Sequence, residues 1–181
     1  MLKNTRNINL EWLKKNHQMI HYFGLGFIQL KIDDTYRLHF YTKELPPIIE
    51  EEDIHNHRYN FTSKVLKGVF EQSLFKTIEG TTHFLEKENC QPQRPLTEDE
   101  PVECGIELIA KCRFPKGSEY YLTADIFHRV KADDCITLLR REPKTKDLAD
   151  VVRIKDRPKI CAFSKQIPEK ELWEIVSNCL A

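Results

Sequence analysis

The stretch Asp53–Gly68, DIHNHRYNFTSKVLKG, decides how the chain is read. His55 and His57 stand two residues apart. In a β-strand alternate side chains share a face, so both imidazoles point the same way. Imidazole nitrogen is also the commonest side-chain donor for Zn, Fe, Cu and Ni. Phe61, Ser63 and Val65 continue the alternation, Leu66 and Phe70 are apolar, and Gly68 falls where a hairpin turn is expected. Taken alone, the pair is a weak signal that two solvated histidines in a polar loop explain better than a metal site does.

Upstream, Leu45–Asp53 carries Pro46-Pro47 and an acidic run and reads as an irregular loop into the His-x-His strand. Phe27–Ile32 and Tyr36–Tyr41 alternate as strands around Asp33-Asp34-Thr35, a hairpin signal. On the second strand Arg37, His39 and Tyr41 share one face, and Leu38 and Phe40 the other. That polar face either lines a barrel mouth and binds an anionic substrate, or is a solvated outer face. Asn9–Tyr22 reads as a helix: Asn9 can cap it, Leu10, Leu13, His17 and Ile20 fall near one side, and Gly24 and Gly26 end it. His17 and His21, four apart, are surface histidines or a helical metal pair.

Downstream, Val69–Phe75 is expected to pair back across Lys67-Gly68, with Glu71 facing a metal, a substrate or water. Ile78–Glu88 reads as a strand pair with Gly80 in its turn, and His83 as a surface or core-edge residue. Asn89–Pro101 is a Pro-rich acidic loop of the kind that overhangs a binding site. Glu103–Phe114, Glu119–Thr123, Thr123–His128, Ile136–Arg141, Val151–Ile154 and Ile160–Phe163 are strand-like, with Pro115-Lys116-Gly117 and Asp133-Asp134 as turns. Lys165–Ala181 closes the chain with an amphipathic helix. Pro168 suits its first position, and Leu172, Ile175, Val176 and Cys179 form an apolar stripe. Roughly ten short strands between two helices predict a mainly β single domain, a sandwich or jelly roll. Its parts are a helix over 9–22, a barrel over 25–165 and a helix over 168–180.

The 181 residues suffice for one domain with a sizeable core. Lys+Arg and Asp+Glu are 28 each, so the formal net charge is zero, which argues against a general affinity for nucleic acid. No apolar run approaches the ~20 residues that span a bilayer, and MLKNTRNINLEWLKKN lacks the apolar segment of a secretory signal. None of the six cysteines forms a C-x-x-C pair. Cys104, Cys112 and Cys135 sit in apolar runs, as reduced thiols of a cytoplasmic protein do; disulfides are the other reading.

The His-x-His stretch resembles the first motif of the cupin superfamily, with His55, His57 and Gly68 in register and Phe61 or Thr62 where the motif has its Glu. The cysteine-dioxygenase-like branch of that superfamily also lacks the Glu and binds iron through three histidines. The stretch is similar, too, to a group of bacterial and phage cupins with H-x-H, F-x-S, L-x-G and a Glu soon after: here His55, His57, Phe61, Ser63, Leu66, Gly68 and Glu71. PKGSEYYLTADIFHRVKADDCITLLRRE resembles the second cupin motif through Pro115 and Gly117, although His128 lies further on than is usual. Ala124, His128, Arg129, Thr137 and Leu138 match the same group. The resemblance covers roughly residues 25–165.

The resemblance implies a jelly-roll barrel in which His128 joins His55 and His57 around a divalent metal, Fe(II) first and Zn, Mn or Ni otherwise, with Glu71 as a further candidate ligand. Tyr59 and Tyr121 are candidate proton donors, and Arg37, His39, Arg129 and Arg140 candidate binding residues for a small anionic substrate. Aromatic core packing and surface ion pairs remain the alternative for each. Three functions follow as expectations. They are a non-haem iron dioxygenase similar to thiol dioxygenases, a sugar or nucleotide-sugar isomerase with a His base and a Tyr acid, and a binding protein without turnover. The partners expected are a small molecule, neither nucleic acid nor membrane, and a second copy as a homodimer.

Overall fold

The structure, a computed structural model, describes residues 8–45, 47, 54–88, 100–155 and 165–181. Most of the loops expected at Leu45–Asp53 and Asn89–Pro101, and the strand expected at Ile160–Phe163, lie outside the described residues.

The first element among the described residues is helix α1, Leu10–Asn16, where the Asn9 side chain accepts a hydrogen bond from the Trp12 backbone at 2.9 Å. The helix is shorter than expected. His17 turns to an extended backbone, and Gln18 donates to the Lys31 carbonyl at 2.8 Å, which starts a strand. This strand, β1 (Met19–Phe23), pairs antiparallel with β2 (Phe27–Lys31), so Ile20 and Tyr22 belong to a sheet rather than to a third helical turn. His17 and His21 therefore sit on different elements and form no helical pair. The hairpin from β2 to β3 (Tyr36–Tyr41) is as expected. The Asp33 carboxylate accepts from the backbone of Thr35 and Tyr36, both at 2.7 Å.

The remaining strands are β4 (Ile54–His55), β5 (Tyr59–Glu88), β6 (Val102–Pro115), β7 (Glu119–Leu122), β8 (Phe127–Lys144) and β9 (Ala149–Ile154). Helix α2, Glu169–Leu180, ends the chain. Among the described residues all nine strands join one antiparallel sheet. Its ladder closes on itself: β8 pairs with β5, the far end of β5 with β9, β9 with β4, and β4 with β8. The architecture is consistent with a β-barrel or jelly roll.

Three expected turns are bends within continuous strands. Gly68 (φ 75°) does not reverse β5, because β5 pairs with β8 on both sides of it, Val65 opposite Thr137 and Val69 opposite Asp133. It forms a bulge, and facing it Asp134 (φ 47°) bends β8 where a turn had been read. A Cβ at Gly68 would lie 2.3 Å from the Asp134 carbonyl oxygen, so only glycine fits. Gly80 likewise makes a corner in β5. The register against β6 jumps between Ile78 and His83, and a Cβ at Gly80 would lie 3.0 Å from the Gly105 backbone.

The main core lies between the outer face of β1, β2, β3 and β8 and the two helices. Ile28, Leu30, Leu38 and Phe40 pack there against Leu13, Leu172 and Val176. Residues of opposite parity on those strands (Gln29, Arg37, His39, Tyr41, Thr137) face a cavity of about 940 Å³ inside the sheet. Among the described residues no helix is long and apolar enough to cross a membrane.

Candidate metal centre

His55 ends the two-residue strand β4 and lies directly opposite His128 on β8. The residue between the two motif histidines, Asn56, is buried and clamped to Asp150. Its side chain donates to the Asp150 carboxylate and accepts from the Asp150 backbone, both at 2.7 Å. The His57 backbone N–H donates to the Ala124 carbonyl at 3.3 Å, which ties the first His-bearing segment to the second. Together these contacts bring one ligand atom from each of His55, His57 and His128 within 4.8 Å of one another. Their ring centres are 4.8–5.1 Å apart.

His57 Nε2 and His128 Nε2 face each other at 2.8 Å. Behind His128, its Nδ1 donates to the Gln72 side-chain oxygen at 3.1 Å. That bond puts the ring proton on Nδ1 and leaves the Nε2 lone pair aimed at the centre, the usual support for a metal-bound imidazole. Two nitrogens sharing one metal at bond lengths of about 2.0–2.1 Å and a right angle are about 3 Å apart, so the observed pair suits a common ion. Burial holds the pKa of His57 and His128 well below the ordinary histidine value, and neighbouring histidines add to the effect. Both rings are therefore uncharged near neutral pH. Phe61, itself buried, meets His57 edge-on at 4.9 Å and seals one side.

The sequence-derived candidates divide between the two faces of the sheet. Tyr59 is buried beside the centre, its ring 5.8 Å from that of His57. Arg37 and His39 line the cavity. Arg37 Nη1 donates to the Gln29 side-chain oxygen at 3.1 Å and to the Tyr59 hydroxyl at 3.4 Å. The Gln29 amide nitrogen then donates to His39 Nε2 at 3.3 Å. Burial, followed by the charge of Arg37, lowers the pKa of His39 to about 3 and that of His21 to about 4. Arg37's own pKa is lowered by burial first, with Arg141 and Arg58 adding repulsion. Arg129 borders both the cavity and an outer cleft, its guanidinium 5.8 Å from the Phe75 ring centre.

Three candidates are not at the centre. Glu71 is half-exposed and ion-paired with Arg113 at 3.1 Å, while its neighbour Gln72 faces the histidines. Tyr121 is exposed and donates to Glu142 at 3.2 Å. Arg140 is exposed, and the inward position falls to Arg141, 5.5 Å from the Tyr59 ring centre. The residues that sequence reading passed over are Gln29, Asn56, Arg58, Gln72 and Arg141. A polar residue set in an inward alternation of apolar ones, as at Gln72 between Phe70 and Leu74, is the signal that finds such a residue; Gln29, between Phe27 and Lys31, has no such signal. No family model matches the chain, and neither does any curated protein.

Proposed function

We propose that the protein is a metal-dependent, cupin-like enzyme that holds a divalent ion, Fe(II) in the first place, through His55, His57 and His128. It would act as a dioxygenase-like oxidoreductase on a small anionic molecule admitted to the cavity. The observation that carries this reading is the convergence of three imidazoles, two of them neutral and one of these buried, with a glutamine fixing the tautomer of that one. When bound, the ion supplies Lewis acidity and, as iron, redox chemistry with dioxygen. The chain's own residues do the rest. The three histidines fix the ion, Gln72 orients His128, Phe61 shields the site from water, and the Tyr59 hydroxyl is a proton donor toward the cavity. Arg37 and Arg141 offset the charge of an anionic ligand. Zn, Mn and Ni suit the same ligand set.

A second reading, an isomerase with His57 as base and Tyr59 as acid, is favoured by the neutral ring of His57 beside that hydroxyl. Cys104, Cys112, Cys135 and Cys179 are free thiols, which supports a reducing compartment such as the cytoplasm. Elemental analysis of protein purified without added metal, beside oxygen uptake with candidate thiols and carboxylates, tests the proposal. About one iron per chain with substrate-dependent oxygen uptake is expected. Metal-free protein that isomerises a sugar would replace the first reading with the second, and metal binding without any turnover would leave a ligand-binding protein.

A further inference from the structure

Arg37 is a cation inside the cavity with no carboxylate within ion-pair distance among the described residues. Both of its hydrogen bonds leave from Nη1. Its Nε is buried and has no hydrogen-bond partner among the described residues. The Nε–Nη2 edge, the side of a guanidinium that forks onto two oxygens, therefore has no protein partner among the described residues. Two cations lie near the Tyr59 ring, with the Arg37 guanidinium 5.7 Å and the Arg141 guanidinium 5.5 Å from its centre; Arg141 is also ion-paired with Asp34. Arg58 and Lys144 line the same region of the cavity. Asp34, a carboxylate beside this group, is exposed, bonded to Lys31 at 2.8 Å and 3.8 Å from Arg141. A buried guanidinium kept without a counter-charge is costly unless an anion from outside completes it. Tyr59 in turn stands beside His57.

We infer that Arg37, Tyr59 and Arg141 form an anion subsite separate from the three histidines, so that the natural ligand bears an acidic group, a carboxylate or a phosphate, in addition to the atom that meets the metal. The inference rests on the proposed metal centre for the ligand's other end, but the subsite itself works without metal. Arg37 supplies the fork, Arg141 supplies further charge beside the Tyr59 ring, and Gln29 holds Arg37 in place by accepting from Nη1. A neutral ligand would leave the fork empty, which makes Arg37 a specificity-determining residue.

The test is calorimetric titration of metal-free and metal-loaded protein with acetate, inorganic phosphate and malonate, chosen to separate a single carboxylate, a phosphate and a molecule with two acidic groups. Metal-free wild type should bind phosphate or malonate, and Arg37→Gln should weaken that binding at least tenfold. Arg37→Lys, which keeps the charge but not the fork, should fall between them. Arg140→Gln, on the outer face, should bind as wild type does. Metal should tighten malonate at least tenfold more than acetate, and His57→Ala should abolish that gain while keeping metal-free anion binding. A thermal melt of each variant separates a binding loss from a folding loss, and Arg141→Gln gives a second reading of the subsite if Arg37→Gln does not fold. Anion binding that is absent in wild type, or equally strong in Arg37→Gln, Arg141→Gln and wild type, overturns the subsite even if the metal is present. Anion binding that responds to Arg37 in a protein that takes up no metal overturns the metal centre and leaves the subsite standing.

Discussion

Replacing Gln72 by Leu tests how the site is built rather than merely which residues it contains. Gln72 and His128 are 4% and 3% exposed, and the bond between them is 3.1 Å long. Leucine is close in volume, so packing should hardly change, but the His128 Nδ1–H loses its acceptor. A buried donor left unsatisfied costs about 1–3 kcal/mol. Metal-free protein has an escape: the ring can move its proton to Nε2 and donate to His57 Nε2, 2.8 Å away. That tautomer relieves the fold and removes the lone pair the metal needs. The expected signature is therefore split. The metal-free melt should stay near wild type, while metal affinity drops about 10–100-fold, the usual effect of losing an outer partner of a metal ligand, or about 1.4–2.7 kcal/mol. Gln72→Glu keeps an acceptor and should restore most of the affinity. Calorimetric titration with Zn and visible spectroscopy with Co, beside thermal melts without metal, read both halves. Metal affinity within about threefold of wild type in Gln72→Leu would refute the tautomer argument, because a tenfold loss is its minimum.

Alanine at His55, His57 or His128 should remove the metal and spare the fold, checked by metal stoichiometry beside circular dichroism; full retention in His128→Ala would displace His128 from the ligand set. Gly68→Ala must take a left-handed backbone and drive its Cβ toward the Asp134 carbonyl. A loss of about 2–4 kcal/mol in urea unfolding is expected, and an unchanged midpoint would mean that the bulge yields freely. His21 and His39 have folded-state pKa values lowered to about 4 and about 3 from an ordinary 6.5. Between pH 6.5 and those values the unfolded chain binds protons that the folded chain does not, so metal-free stability should fall as pH falls, by about 1.4 kcal/mol per pH unit for each ring. Urea titrations between pH 7 and 5 should show this slope, and His39→Gln should flatten it; a level profile over that range would contradict the buried, neutral state of these rings.

The parts of the site that were legible are those carried by short-range alternation. The two faces of β3 separate as its sequence suggests, with Leu38 and Phe40 toward the helices and Arg37 and His39 toward the cavity. The Asp33 turn and the stripe of α2 follow from local chemistry in the same way. The misplacements share one physical cause. On β5 the inward residues are Phe61, Ser63 and Val65 before Gly68, but Phe70 and Gln72 after it. On β8 they are His128 before Asp134, but Thr137, Leu139 and Arg141 after it. Each bulge adds one residue and reverses which parity faces in. With a turn expected at each of these sites instead of a bulge, sequence reading names Glu71 where Gln72 faces in, and Arg140 where Arg141 does. A glycine in a bulge and a glycine in a hairpin look alike locally. The difference lies in which strand the chain pairs with afterwards, and that is a long-range property. Residues 19–23 went astray for a related reason: their side chains suit a helix stripe or a strand, and pairing with β2 decides.

The closed ladder passes through β4, which contributes two residues and one residue pair to β8. This is the thinnest seam of the ring, and it is where His55 stands opposite His128. An ion bound by both would stitch that seam, so its influence on the protein should be kinetic and local before it is global. Brief openings at β4 would be the route by which metal enters and leaves. Amide hydrogens at residues 54–57 and near Val151 and Val152 should exchange rapidly in metal-free protein and slow sharply once metal is added, while those in the middle of β5 and β8 hardly respond.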